Sequence, residues 1–267
     1  MDENSSQSSE APPHVPSREE LNAELLEVPP LPDQPNPLVP LELDHILTVA
    51  IGYVRGRRGG DLLAIILVGS GARRSLTPNS DLDLIALVAG QDEWHEIVRV
   101  ADRLIEIRYR GHKAVEEELE YVARLPPLLR KGRVLFEHEA VGSKLVEKAQ
   151  QRFRQSPPRV SLNEKIRLKA DCLHWLGKAE DLLNQPATAQ YLLGHFSENL
   201  LDATFRLRGY WLTSPADMLN FLSARDPALG DLLHAFMTAP TLPDRINLGR
   251  KLADHVFRDV PNPARVD

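Results

Sequence analysis

Asp81 and Asp83 are the residues with the clearest chemical promise. They alternate with Leu82 and Leu84 in the run Asp-Leu-Asp-Leu. On an extended strand alternate side chains share a face, so both carboxylates point one way, roughly 6.6 Å apart along the backbone. Converging carboxylates at that spacing can share hard divalent cations, and Mg²⁺ favours a few carboxylates combined with phosphate oxygens. Two such ions about 3.5–4 Å apart clamp the attacking and leaving oxygens of a phosphoryl displacement. Gly69 and Ser70 precede the acids by a spacer of ten residues, 71–80. Gly69 would let the backbone come close to a polyphosphate, and Ser70 offers a hydroxyl and an N–H where a helix start favours anions. The plainer reading is an Asx-rich turn, Pro78 to Asp81, entering a strand that carries two exposed acids. The Gly-Ser pair directly behind an apolar strand favours the chemical reading.

A third acid is sought downstream. The run Leu104 to Tyr109 alternates: Leu104, Glu106 and Arg108 share one face, and Ile105, Ile107 and Tyr109 the other. A carboxylate inside a strand is costly unless paired. Glu106 either pairs with Arg108 or Arg110, or joins Asp81 and Asp83 from a neighbouring strand; the second is favoured, with Asp102 as the fallback.

The elements that must position these groups follow from periodicity. Leu41 to Arg58 has a helical apolar face, three arginines in its last turn and a Gly59-Gly60 stop. Leu62 to Val68 is a buried strand, Ser70 to Arg74 one helical turn, and Asp81 to Val88 a second strand. Gln91 to Val100 fits a short helix or a strand equally. Lys113 to Tyr121 reads as a helix, Pro126-Pro127 as a break, Arg133 to Phe136 as a short strand and Gly142 to Arg154 as a helix. Ser156-Pro157-Pro158 marks a boundary. Beyond it Ser161 and Glu164 form a capping box for a helix to about Asn184, with Ile166, Leu173, Leu176, Ala179 and Leu183 expected inside. Further helices cover Pro186 to about Trp211, a stretch from Ser214-Pro215, Leu229 to Met237 and Leu242 to Phe257. Short connections imply an antiparallel bundle. The expected class is α+β: a small mixed β-sheet with flanking helices over 41–155, then an α-helical bundle over 156–267.

Composition limits the alternatives. With 267 residues, 42% hydrophobic and 26% charged, the chain is an ordinary globular one. A single cysteine, Cys172, excludes a disulfide framework and a thiolate zinc cluster. No stretch approaches the ~20 apolar residues of a membrane span, and the N-terminus lacks a secretory layout, so the cytoplasm is the expected location. Residues 1–40 hold nine of the 21 prolines and eight acids against one arginine, which leaves the remainder at +1 within a total of −6. They read as a disordered tail, with a brief helix over Ser17 to Leu26 and an extended Pro29 to Pro40. A near-neutral body gives no general bias toward nucleic acid. The string Glu137-His138-Glu139 reads as a solvated loop. Arg167 with His174, and His195 with Glu198, read as local polar pairs on helices rather than as sites.

The pattern apolar-Gly-Ser, a spacer of ten, acid-apolar-acid and a later third acid resembles the DNA polymerase β-like nucleotidyltransferase superfamily. It is carried by Val68-Gly69-Ser70, Asp81-Leu82-Asp83-Leu84 and Glu106. The stretch from Gly69 to Leu84 is similar to the small minimal nucleotidyltransferases, and a following helical domain is similar to kanamycin nucleotidyltransferase and to fusions with the helical HEPN type. The match covers Leu62 to Tyr109, and departs from the pattern at Arg74, where many minimal members carry Gly.

The resemblance implies two Mg²⁺ ions on Asp81, Asp83 and Glu106, with Glu106 also taking the acceptor proton. It implies an NTP, ATP by default, held by Gly69, Ser70, Arg73, Arg74 and Ser80. The implied reaction moves a nucleoside monophosphate to an acceptor hydroxyl and releases pyrophosphate. A small acceptor such as an aminoglycoside is expected, with Glu180, Asp181, Glu198 and Asp202 as an acidic wall. The alternatives are a protein or RNA acceptor in a toxin–antitoxin or defence system, for which Arg124, Arg130, Lys131 and Arg133 form the basic cluster, and a non-catalytic nucleotide-binding module. A homodimer stays open; a membrane partner is not expected.

Overall fold

A computed structural model describes residues 40–77 and 79–264. The expected tail, its brief helix and its extended segment lie outside the described residues, as does Pro78 of the expected turn. The described residues belong to one compact unit. The protein is α+β: a five-stranded mixed sheet with flanking helices, followed by a set of five helices.

Helix α1 (Pro40–Arg58) leads into β1 (Leu62–Val68), the four-residue α2 (Gly69–Ala72), β2 (Leu82–Val88), β3 (Trp94–Val100) and β4 (Arg103–Gly111). Then come α3 (His112–Glu118), α4 (Leu125–Leu129), β5 (Arg133–Glu137) and α5 (Val141–Arg154). The strands lie in the order β3-β4-β2-β1-β5. All pairings are antiparallel except that of β2 with β4, which is parallel. Strand β3 lies outside β4 as the edge strand, so the chain passes out, turns and returns parallel to β2. The segment that fitted helix or strand equally is therefore a strand. Its exposed and half-buried positions alternate, as an edge strand covered on one side allows.

Period-two alternation divides the sheet into two apolar faces. Ile65, Leu67, Leu82, Leu84, Ile105, Ile107 and Tyr109 pack beneath α1, which contributes Ile46, Leu47, Ala50 and Val54. Each Leu, Ile or Val so buried is worth about 1.5–3 kcal/mol. On the other face Ala64, Ile66, Val68, Ile85 and Leu87 meet residues of α3, α4 and α5. Asp83 and Glu106 continue this second face where its apolar side chains run out.

Pro126 and Pro127 do not break the chain but lie in the first turn of α4, where a missing N–H leaves no helical hydrogen bond unmade.

The helical part comprises α6 (Leu162–Asp181), α7 (Pro186–Arg208), α8 (Pro215–Arg225), α9 (Pro227–Thr238) and α10 (Leu242–Val256). The Ser161 hydroxyl accepts the Glu164 N–H at 3.2 Å and caps α6. The Glu164 carboxylate, however, pairs with Arg206 of α7. The buried stripe of α6 is Leu168, Cys172, Leu176 and Ala179. Leu173 and Leu183, expected inside, are exposed: an i, i+4, i+8, i+11 stripe faces α7 and α10, and Leu173 falls off it. The helical part is tied to the sheet part by Trp211, whose indole N–H donates to the carbonyls of Phe153 and Gln155, each at 3.0 Å. Among the described residues no helix is long and apolar enough to cross a membrane.

Candidate active site

The site begins where β1 ends. Val68 is the register partner of Asp83 on β2, and Asp83 is the partner of Glu106 on β4. The parallel β2–β4 pairing thus sets Glu106 directly beside Asp83, and Asp81 follows from the residue just before β2. One carboxylate oxygen from each of Asp81, Asp83 and Glu106 lies within 4.8 Å of the others. At an effective dielectric constant near 20, two full charges 4.8 Å apart repel by roughly 3–4 kcal/mol. The repulsion is visible in Asp83: burial foremost, then the charges of Asp81 and Glu106, raise its pKa above the ordinary carboxylate value. Three hard oxygen donors converging under mutual repulsion fit a divalent cation, which would supply the missing countercharge.

Glu106 meets both of its sequence readings at once. It belongs to the acidic group, and it also accepts from Arg108 Nε at 2.6 Å, with His95 Nε2 at 3.2 Å. Asp102, the fallback, lies exposed in the turn before β4, outside the group.

Gly69 is required by geometry. Its φ is +65°, and a Cβ added there would lie 2.3 Å from Oδ2 of Asp83. The carboxylate therefore packs over the bare Cα. The spacer folds back through a turn in which the Ser75 N–H donates to the Ser70 carbonyl at 3.1 Å, and Leu76 is buried against the α1 face of the sheet. The Ser80 hydroxyl accepts the Thr77 N–H at 2.8 Å and contacts the Thr77 hydroxyl at 2.9 Å, so it braces the loop ahead of Asp81. Arg103, which sequence reasoning did not single out, donates to the carbonyls of Thr77 and Ser80 at 3.0 and 2.8 Å. It fixes the entry to β2 from the start of β4. Nothing local in the sequence marks this, because Arg103 and Ser80 are brought together by the β2–β4 pairing.

Arg73 and Arg74 diverge. Arg73 reaches Asp217 in the first turn of α8, at 3.1 Å. Arg74 is exposed at φ +57°, the left-handed region that favours glycine. The other candidates have local partners. The Glu137 carboxylate accepts the N–H and hydroxyl of Ser143 at 2.8 and 2.7 Å at the start of α5, and His138 lies edge-on to Phe136. Arg167 pairs within its own helix with Glu164 and Asp171, and His195 stacks on Trp175 and meets Tyr191 edge-on. Glu180 and Asp202 of the expected acidic wall pair with Arg250 and Arg206. Cys172 is buried, and burial pushes its thiol up to about 12.

Beside the triad an open pocket of about 400 Å³ is lined by Glu93, Trp94, His95, Arg108, Arg110, Glu118 and Val122. His95 and Arg108 are also the partners of Glu106, so the pocket borders the acidic group.

No protein-family model matches the chain, and no curated protein matches it in sequence. Among solved structures it is similar to a nucleotidyltransferase-like protein from Exiguobacterium sibiricum 255-15, with a TM-score of 0.48 and 16% identity over 81% of this chain and 74% of that one.

Proposed function

We propose that the protein is a divalent-metal-dependent nucleotidyltransferase that moves a nucleoside monophosphate from an NTP to an acceptor hydroxyl. The observation that carries this reading is the convergence of Asp81, Asp83 and Glu106 within 4.8 Å, beside a glycine whose bare Cα faces Asp83. The motif spacing and the three-dimensional grouping agree on the same residues.

In this reading the three carboxylates would hold two Mg²⁺ ions. When bound, these supply countercharge to the phosphates and to the developing negative charge of the transfer. Gly69 keeps the approach to the acids open, and the Ser70 N–H and hydroxyl face the polyphosphate. The acceptor oxygen bonds to the α-phosphorus while the bond from that phosphorus to the bridging oxygen breaks, and pyrophosphate leaves with that oxygen. The hydroxyl proton passes to Glu106, whose alignment Arg108 and His95 maintain. Most of the rate gain comes from positioning and charge neutralisation.

For the acceptor, a small molecule is favoured. The pocket beside Glu106 is of ligand size and offers the half-exposed Trp94 ring, with Glu93 and Glu118 both paired to Arg110. An aminoglycoside brings hydroxyls to modify, and its amines would exchange with Arg110 for those acids.

The test is calorimetric binding of each NTP with Mg²⁺ to wild type and to the Asp81→Ala/Asp83→Ala variant, followed by transfer of α-labelled nucleotide to a panel of aminoglycosides. Metal-dependent binding that the double variant loses is expected. Equal binding by both proteins would overturn the assignment of the acids, and absence of any NTP binding would overturn the nucleotidyltransferase reading.

A further inference from the structure

A second charged zone lies at the same end of the sheet as Gly69, toward β5. Strand β1 lies between β2, which brings Asp83, and β5. In the β1–β5 ladder Leu67 is the partner of Arg133. The lead into β5, which carries Lys131 in the turn just before Arg133, therefore lies at the same end of the sheet as the turn after β1. Arg130 precedes Lys131, with its guanidinium 4.0 Å over the Phe153 ring. Its Nε is buried without a hydrogen-bond partner, and among the described residues neither Arg130 nor Lys131 is in an ion pair. Arg73 enters the same zone from the turn after α2.

These cations repel one another. Burial first, then the charge of Arg73, lowers the pKa of Arg130. Lys131 is exposed overall but partly desolvated; that desolvation, then Arg130 and Arg73, lowers its pKa, with Asp217 acting in the opposite sense. Arg73, Arg130 and Lys131 thus form a group of three cations; Asp217 pairs with Arg73 and acts on Lys131, and the charge of Arg73 also reaches Asp83. The Asp217 carboxylate has a second anchor, since it also accepts the Ser214 hydroxyl at the start of α8. A buried guanidinium nitrogen without an acceptor is costly, and a multiply charged oxyanion would satisfy it and relieve the repulsion together.

We propose that Arg73, Arg130 and Lys131 form the cradle for the β- and γ-phosphates of the nucleotide, and that Asp217 is their placeholder, paired with Arg73 until the phosphates displace it. This rests on the nucleotidyltransferase reading and extends it beyond the Gly-Ser turn. It brings in two residues from the lead into β5 and one from the helical part. Phosphate binding then frees Asp217, so the start of α8 responds to the nucleotide.

The experiment is calorimetry of ATP, ADP and AMP, each with Mg²⁺, on the full chain and on Lys131→Gln and Asp217→Asn. Lys131 is exposed, so its substitution leaves the packing of Arg130 on Phe153 in place. Lys131→Gln weakens ATP binding about 10-fold, the scale of one charge-assisted hydrogen bond, while AMP binding stays as in wild type. Asp217→Asn tightens ATP binding several-fold, and the gain vanishes when Arg73→Gln is added. Unchanged ATP affinity in Lys131→Gln overturns the cradle, as does an equal loss for ATP and AMP. Weaker ATP binding in Asp217→Asn overturns the placeholder. A wild type that binds ATP while all the variants match it sinks this proposal alone; a wild type that binds no nucleotide sinks the nucleotidyltransferase reading as well.

Discussion

Replacing Gly69 by alanine tests whether the turn and the acidic group depend on each other as the geometry requires. Gly69 sits at φ +65°, where an L side chain costs about 1–2 kcal/mol. The new Cβ would lie 2.3 Å from Asp83 Oδ2, whereas ordinary contact begins near 3.4 Å, so the carboxylate must retreat by the difference, about 1.1 Å. It can do so, because it is the end of a side chain, while Gly69 is held by β1 behind it. The retreat takes one oxygen out of a group that now lies within 4.8 Å. Strain of about 1–3 kcal/mol in all lowers Tm by roughly 2–4 °C per kcal/mol in a chain of this size. The stabilisation by mass action that the proposed Mg²⁺ site would give the wild type is lost as well. The assay is thermal unfolding with and without millimolar Mg²⁺, with Gly71→Ala as the control. A Cβ on Gly71 meets only the methyl ends of Leu82 and Leu67, at 2.9 and 3.1 Å, so that variant loses some stability and keeps its metal response. A Gly69→Ala protein with wild-type Tm and a full Mg²⁺ response would refute the reasoning, as would a Gly71→Ala protein that loses that response equally.

Three other outcomes follow from single residues. Because the pKa of Asp83 is raised in the folded protein, the native state binds protons more readily than the unfolded state between the ordinary and the raised value. The metal-free protein therefore loses stability as pH rises through that window. Asp83→Asn removes the loss and is the more stable protein at neutral pH; urea unfolding against pH checks this, and identical profiles would count against it. Arg74→Gly relieves the backbone at φ +57° and gains about 0.5–1 kcal/mol net of the chain entropy of glycine, read as a higher urea midpoint. Trp211→Phe leaves the carbonyls of Phe153 and Gln155 without their donor and costs about 1–3 kcal/mol, measured in the same unfolding experiment.

Much of the sheet was legible because its strands are chemically explicit. Leu62–Val68 is apolar throughout, and the alternation in Leu104–Tyr109 places Ile105, Ile107 and Tyr109 in the core, where they lie. The same alternation put Glu106 on the opposite face but could not say which strand stands beside it. That depends on β3 lying outside β4, and Trp94–Val100 has too mixed a pattern to declare itself an edge strand in advance. Local signals also failed for Arg103, whose partners Thr77 and Ser80 are more than twenty residues away, and for Asp217, which reads as an ordinary first-turn acid until Arg73 is seen against it. On α6 the seven-residue spacing of Ile166 and Leu173 suggested a stripe beside the buried one, because several columns of that helix carry aliphatic residues and only its neighbours decide among them.

The sign of the charge on each side of Gly69 bears on what the turn can hold. Strands β2 and β4 bring carboxylates to one side of β1, and the lead into β5 brings ammonium and guanidinium groups to the other. A free polyphosphate would be drawn to the cations and repelled by the acids; a free divalent cation would experience the reverse. A metal–polyphosphate complex carries both signs in one molecule and satisfies both zones together. Asp217 meets half of that requirement within the protein itself, since it pairs with Arg73. A displaced Asp217 together with a filled acidic group is therefore the state of lowest electrostatic strain, and neither metal alone nor phosphate alone reaches it. Binding of Mg²⁺ and of nucleotide should accordingly be mutually reinforcing, each tightening the other by the same factor.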